Sequence, residues 1–133
     1  MSLIGWVLIS VAVGAWWFVS RRRALGTYWQ RSCMGRAWKR TFPDASGREI
    51  RRFLELFTSA FGFQERRTLV FAPTDRILDV YKAAYPLDGL PDALELETLA
   101  RDLDKHFGLD LYRAWRENLT LGEVFSITRK AAV

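Results

Sequence analysis

The sequence predicts an all-α protein, a single N-terminal transmembrane helix followed by a small three- or four-helix bundle. Three observations carry this. Residues 3–19 contain no charged side chain, and a run of that length stands at the short end of what crosses a hydrocarbon core of roughly 30 Å. Two later stretches place apolar residues at helical spacing: Ile50, Phe53, Leu54, Phe57 and Phe61 in one, and Leu96, Leu99, Leu103 and Phe107 in the other. The only β-like signal is the short apolar run Leu69-Val70-Phe71.

The first element, residues 1–20, reads as a membrane anchor. Trp6 lies near one end and Trp16 and Trp17 near the other, where interfacial aromatic residues belong, and Arg21, Arg22 and Arg23 follow at once. A cleavable signal peptide carries its positive charge before the apolar region, not after it. Basic residues beside a span stay in the cytoplasm. The expected topology is therefore single-pass in the cell inner (cytoplasmic) membrane, with a short N-terminus outside and the C-terminal domain cytoplasmic. Ser10 and Gly14 form a small-xxx-small pair that lets two helices approach. No acid, Lys or His lies inside the run, so the usual marks of an ion path are missing.

The next element, residues 21–46, reads as a basic juxtamembrane connector. Residues 21–52 hold ten Lys/Arg against two Asp/Glu, a net of +8, whereas residues 53–133 hold ten against thirteen. Beside a bilayer such a stretch is drawn to anionic headgroups. Leu25, Tyr28, Trp29, Cys33 and Trp38 follow a helical stripe only loosely, so a helix lying on the membrane and a flexible linker are both compatible with the pattern. Nucleic acid is not an expected partner, because the preceding span already accounts for the charge. A fold-back of this connector onto the acidic residues 88–104, whose net is −5, would loosen with salt.

The third element, residues 47–133, reads as the soluble head. Its first helix is capped by Asp44 or Ser46 and stopped at Gly62. A long structured loop follows, ending in a turn over residues 86–91. The second helix starts at Asp92 and is closed by Gly108, and Thr120 caps a last short helix.

Residues 92–108, DALELETLARDLDKHFG, resemble helix II of acyl carrier proteins, whose signature is Asp-Ser-Leu, a Leu-rich acidic helix and Glu-Phe-Gly. Residues 118–124, NLTLGEV, resemble the Thr-Val-Gly-Asp step that opens that family's last helix. Residues 74–80 then correspond to the loop segment before the signature, and the likeness covers about residues 47–128. The family attaches 4′-phosphopantetheine to the Ser of Asp-Ser-Leu. Here Ala93 occupies that position, and a methyl group cannot carry a phosphodiester. No cofactor is therefore expected. The stretch 81–91 is longer than the family's loop, and its Tyr81, Tyr85 and Leu87 stand where an acyl chain would need space.

The resemblance implies a protein partner, basic at its contact surface, that meets the acidic helix through Asp92, Glu95, Glu97 and Asp102. Catalysis is not expected: His106 is the only histidine, Cys33 the only cysteine, and neither a zinc set nor a nucleophile elbow can be drawn. The expected function is a membrane-anchored, non-catalytic adaptor. The alternatives are a working carrier or lipid-binding protein serving acyl or envelope synthesis, and a small structural subunit of a membrane complex.

Overall fold

The computed structural model describes residues 2–84 and 94–131, with the backbone alone described at residues 20–24 and 65–67. All its regular elements are helical. They are α1 (Leu3–Trp29), α2 (Gly35–Thr41), α3 (Gly47–Ala60), a 3-10 turn (Glu65–Val70), α4 (Ile77–Ala84), α5 (Leu94–Phe107), α6 (Leu111–Ala114) and α7 (Leu121–Ala131). Leu69 and Val70, part of the β-like run, lie in the 3-10 turn. The loop expected after α3 contains a helix of its own, α4, whose Ile77, Val80 and Ala84 are buried.

The first helix revises the expected anchor. It does not stop at residue 20 but continues for 27 residues to Trp29, about 40 Å at 1.5 Å per residue. Among the described residues, no helix is long and apolar enough to cross a membrane. Its uncharged part, residues 3–19, rises only about 25 Å.

Nor are residues 25–45 a free connector. Leu25, Trp38 and Ala45 are buried, and Tyr28, Trp29, Met34 and Phe42 pack against the core. Trp38, fully buried, is the hub: its indole Nε1 donates to Phe71 O at 2.8 Å, and its rings lie against Phe42, Phe53 and Phe125. The helical stripe was hard to see because α2 is only seven residues long. Head and connector thus share one core, completed by Leu54 and Phe57 of α3, Leu103 of α5 and Val124 of α7.

The helix ends follow local chemistry. Ser46 caps α3 by accepting from Glu49 N–H at 3.1 Å. Gly62, at φ 71°, stops it with Phe63 N–H returning to Thr58 O at 2.9 Å, the closure that a left-handed residue allows. Thr120 and Glu123 form a reciprocal capping box at the start of α7, and that helix runs on to Ala131. Gly108 sits at φ 65° after α5.

One junction ties distant segments together. Arg76 and Thr120 form an isolated antiparallel bridge, in which Ile77 N–H donates to Leu119 O and Leu121 N–H to Asp75 O. Gly122 comes so close to Pro73 that a Cβ there would stand 2.9 Å from the Pro73 carbonyl oxygen. The starts of α4 and α7 are thereby held side by side.

Candidate functional site

α1 has two unlike halves. Along residues 3–19 most of the large side chains are exposed: Leu3, Trp6, Val7, Leu8, Val11, Val13, Trp16 and Phe18 are all more than half exposed. A helix that is apolar all round belongs inside an apolar medium. Of the residues expected at the membrane interface, Trp6 and Trp16 are exposed and Trp17 is half-buried; the side chains of Arg21, Arg22 and Arg23 lie outside the description. The Ser10 hydroxyl donates to Trp6 O at 2.9 Å within its own helix, which satisfies the one polar side chain in the middle of the run.

The other half of α1 is clamped to the head. Leu25 is buried, Tyr28 packs on Phe71 with ring centroids 5.7 Å apart, and Trp29 meets Phe63 at 5.2 Å and Phe71 at 5.7 Å. Just past the helix, Arg31 Nη1 donates to the Asp75 carboxylate at 2.6 Å and to Val70 O at 3.4 Å, with its guanidinium 4.7 Å above the Tyr28 ring. Asp75 is buried and also accepts from Ala72 N–H at 2.7 Å. Burial, and after it the Asp75 and Asp79 charges, pushes the Tyr28 hydroxyl above its ordinary pKa, while the hydrogen bond to Asp75 holds Arg31 still more firmly protonated. The clamp ties the end of the connector to Asp75, outside the acidic residues 88–104; of the stretch expected to receive a fold-back, residues 88–93 lie outside the described residues. The end of α1 packs on α4 and the 3-10 turn, and α2 packs on α3.

The acidic helix α5 is divided by its burial. Leu99, Ala100 and Leu103 face the core, so acids on either side of that stripe look in different directions. Glu97 is exposed and lines an open cleft of about 460 Å³ with Asp104, Asp110, Arg101 and Tyr112. Asp102 is half-buried and lines another groove, of about 620 Å³, together with Arg52, Glu55, Ser59 and His106. Glu95 is half-buried, and Asp92, like Ala93, lies outside the described residues. The structure therefore does not gather Glu97 and Asp102 on one surface.

Sequence reasoning counted Asp104 in the acidic stretch 88–104 but missed Asp110 and Tyr112 as neighbours of Glu97. Asp110 caps α6, accepting from Tyr112 and Arg113 N–H at 3.1 and 3.4 Å, and the turn made by Gly108 folds α6 against α5. A signal existed in the i, i+4, i+7 spacing of Glu97, Arg101 and Asp104; nothing in the helical period shows what the following turn adds. Tyr112, 71% exposed, is the most exposed aromatic side chain among the described residues of the head.

Tyr81 is half-buried and packs on the core, while Tyr85 and Leu87 lie outside the described residues. The core between α3, α5 and α7 is closed by Phe53, Phe57, Leu103 and Val124, each at most 1% exposed. Cys33 is exposed, and His106 lies at the rim of the α3–α5 groove. No family model, curated protein or solved structure matches this chain.

Proposed function

We propose that the protein is a membrane-anchored, non-catalytic interaction module, in which α1 is held in a bilayer and the helical head presents the α5–α6 cleft to a protein partner. The observation that carries this reading is α1 itself. It is apolar over residues 3–19, with most of its large side chains exposed, and continuous with a head that grips its last turns. Exposed area of this kind on a monomer marks a membrane or protein contact. A stretch somewhat shorter than the hydrocarbon is accommodated by local thinning of the bilayer and by flanking side chains reaching to the interface; the three arginines that follow in sequence suit that role and favour a cytoplasmic head.

The acyl-carrier-like reading of the head has support from its internal order. The two segments that carry the resemblance outside α5, residues 74–80 and 118–124, meet at the Arg76–Thr120 bridge. Ala93 lacks the hydroxyl that phosphopantetheine needs, and large side chains fill the core, so binding through a surface suits the head better than carrying an acyl chain. The cleft offers Glu97, Asp104 and Asp110 beside an exposed Tyr112, which suits a partner segment with basic residues flanking an apolar one.

Two experiments test this. Incubation of the full chain with coenzyme A and a promiscuous phosphopantetheinyl transferase leaves its mass unchanged; addition of the prosthetic group's mass would refute the reading. Crosslinking in native membranes yields an adduct that is lost in the Glu97→Lys/Asp104→Lys variant, and an identical adduct in both chains would remove the cleft from the account.

A further inference from the structure

The head carries a second charged face, opposite in sign to the α5–α6 cleft. On α2, Arg36 and Arg40 are exposed one turn apart; on α3, Arg48, Arg51 and Arg52 are exposed, away from the buried Ile50, Phe53 and Leu54. The two helices pack on each other. Of the nearby acids, Asp44 and Glu49 are engaged by Arg129 at 3.2 and 3.3 Å, while Glu55 and Asp102 share a groove with Arg52 at the far edge of this face. The five arginines form no ion pair among the described residues, and Glu55 is the one exposed acid continuing their stripe on α3.

The α2 end of this face stands beside the exit of α1. Phe71 joins them: its ring meets Trp29 of α1 at 5.7 Å, and its carbonyl accepts from Trp38 of α2 at 2.8 Å. From the last uncharged residue, Val19, the helix rises about 15 Å to Trp29, and the polar region of one leaflet is itself roughly 5–7 Å deep. The end of an upright α1 therefore stands beyond the polar layer, and tilting of the helix brings the start of the arginine face down to the headgroups.

We propose that the α2–α3 arginine face docks the head onto anionic phospholipid headgroups of the bilayer that holds α1. The inference rests on the reading of α1 as the anchor. Guanidinium groups pair bidentately with phosphate, which a surface of five arginines and no unengaged lysine exploits. Tethering makes the contact intramolecular, so weak individual contacts suffice. Each basic residue near an anionic leaflet strengthens binding roughly fivefold, so removing three lowers the docked-to-undocked ratio by about a hundredfold.

The test uses the full chain with Cys33→Ser and an environment-sensitive dye on Glu55→Cys, incorporated into nanodiscs of phosphatidylcholine alone or with about 30% phosphatidylglycerol. The chain comigrates with both discs. Dye emission shifts to the blue only on the anionic discs, and the shift disappears at about 0.5 M salt and in Arg48→Gln/Arg51→Gln/Arg52→Gln, whose helical circular dichroism is unchanged. Comigration with equal emission on both discs would overturn the docking while leaving the anchor standing. Failure to comigrate with either disc would overturn the anchor and the docking with it. An equal shift on neutral discs given soluble polyglutamate would assign the face to an acidic protein instead.

Discussion

Asp75 is the side chain on which the head and the end of α1 converge. It accepts from Arg31 and from Ala72 N–H, and its own carbonyl accepts from Leu121 N–H. Removing the carboxylate leaves the buried Ala72 N–H and the Arg31 guanidinium without their acceptor, so Asp75→Ala destabilises the head by about 1–3 kcal/mol in urea unfolding, whereas Arg36→Gln, at an exposed site, stays within about 0.5 kcal/mol. Gly122→Ala drives a methyl group into the Pro73 carbonyl and costs about 1–3 kcal/mol by the same measurement. On the surface, the hydrogen bond from Arg129 holds the Asp44 carboxyl below its ordinary pKa. A depressed carboxylate favours the folded state above the unfolded pKa and loses that contribution as pH falls through the folded value; in Arg129→Gln an NMR titration finds Asp44 ionising at higher pH than in the wild type. The caps Ser46 and Thr120 and the stops Gly62 and Gly108 were legible in the sequence because each acts within a few residues. The Arg31–Asp75 pair was not, since 44 positions separate its members and charge patterning alone sets Arg31 with its basic neighbours.

Trp38 marks the element that periodicity could not assign. α2 is seven residues long, with two arginines and a lysine around one buried ring, so its hydrophobic signal is a single position. Truncating that ring removes contacts with Phe42, Phe53 and Phe125 as well as the hydrogen bond to Phe71 O. Trp38→Ala accordingly costs about 3–5 kcal/mol. A chain that starts at residue 47 has lost Trp38, Tyr28 and Trp29 from its core and shows a broad, weakly cooperative thermal transition by circular dichroism, while one that starts at residue 24 melts cooperatively. A sharp transition in the shorter chain would show that the head stands without α2. The longer amphipathic helices, α3 and α5, were legible because nearly four turns repeat the same face. The acidic face of α5 was legible only as composition: the buried stripe separates Glu97 from Asp102, and the partners of Glu97 come from α6, beyond the helix end.

At the scale of the molecule, the net charge of +5 is distributed over surfaces of opposite sign. Exposed arginines stand on α2, beside the exit of α1, and on α3, and an acidic cleft lies between α5 and α6. Clamping of α1 through Tyr28, Trp29 and Arg31 means that the head is carried on a continuous helix and not on a free linker, so its orientation follows that of α1. The central claim is that residues 3–19 are held in a bilayer. Alkaline carbonate extraction of membranes from cells making the full chain, or the chain starting at residue 24, tests this most directly. The account predicts that the full chain stays with the carbonate-washed membrane and that the shorter chain is released to the supernatant. Release of the full chain, or retention of both, would contradict it.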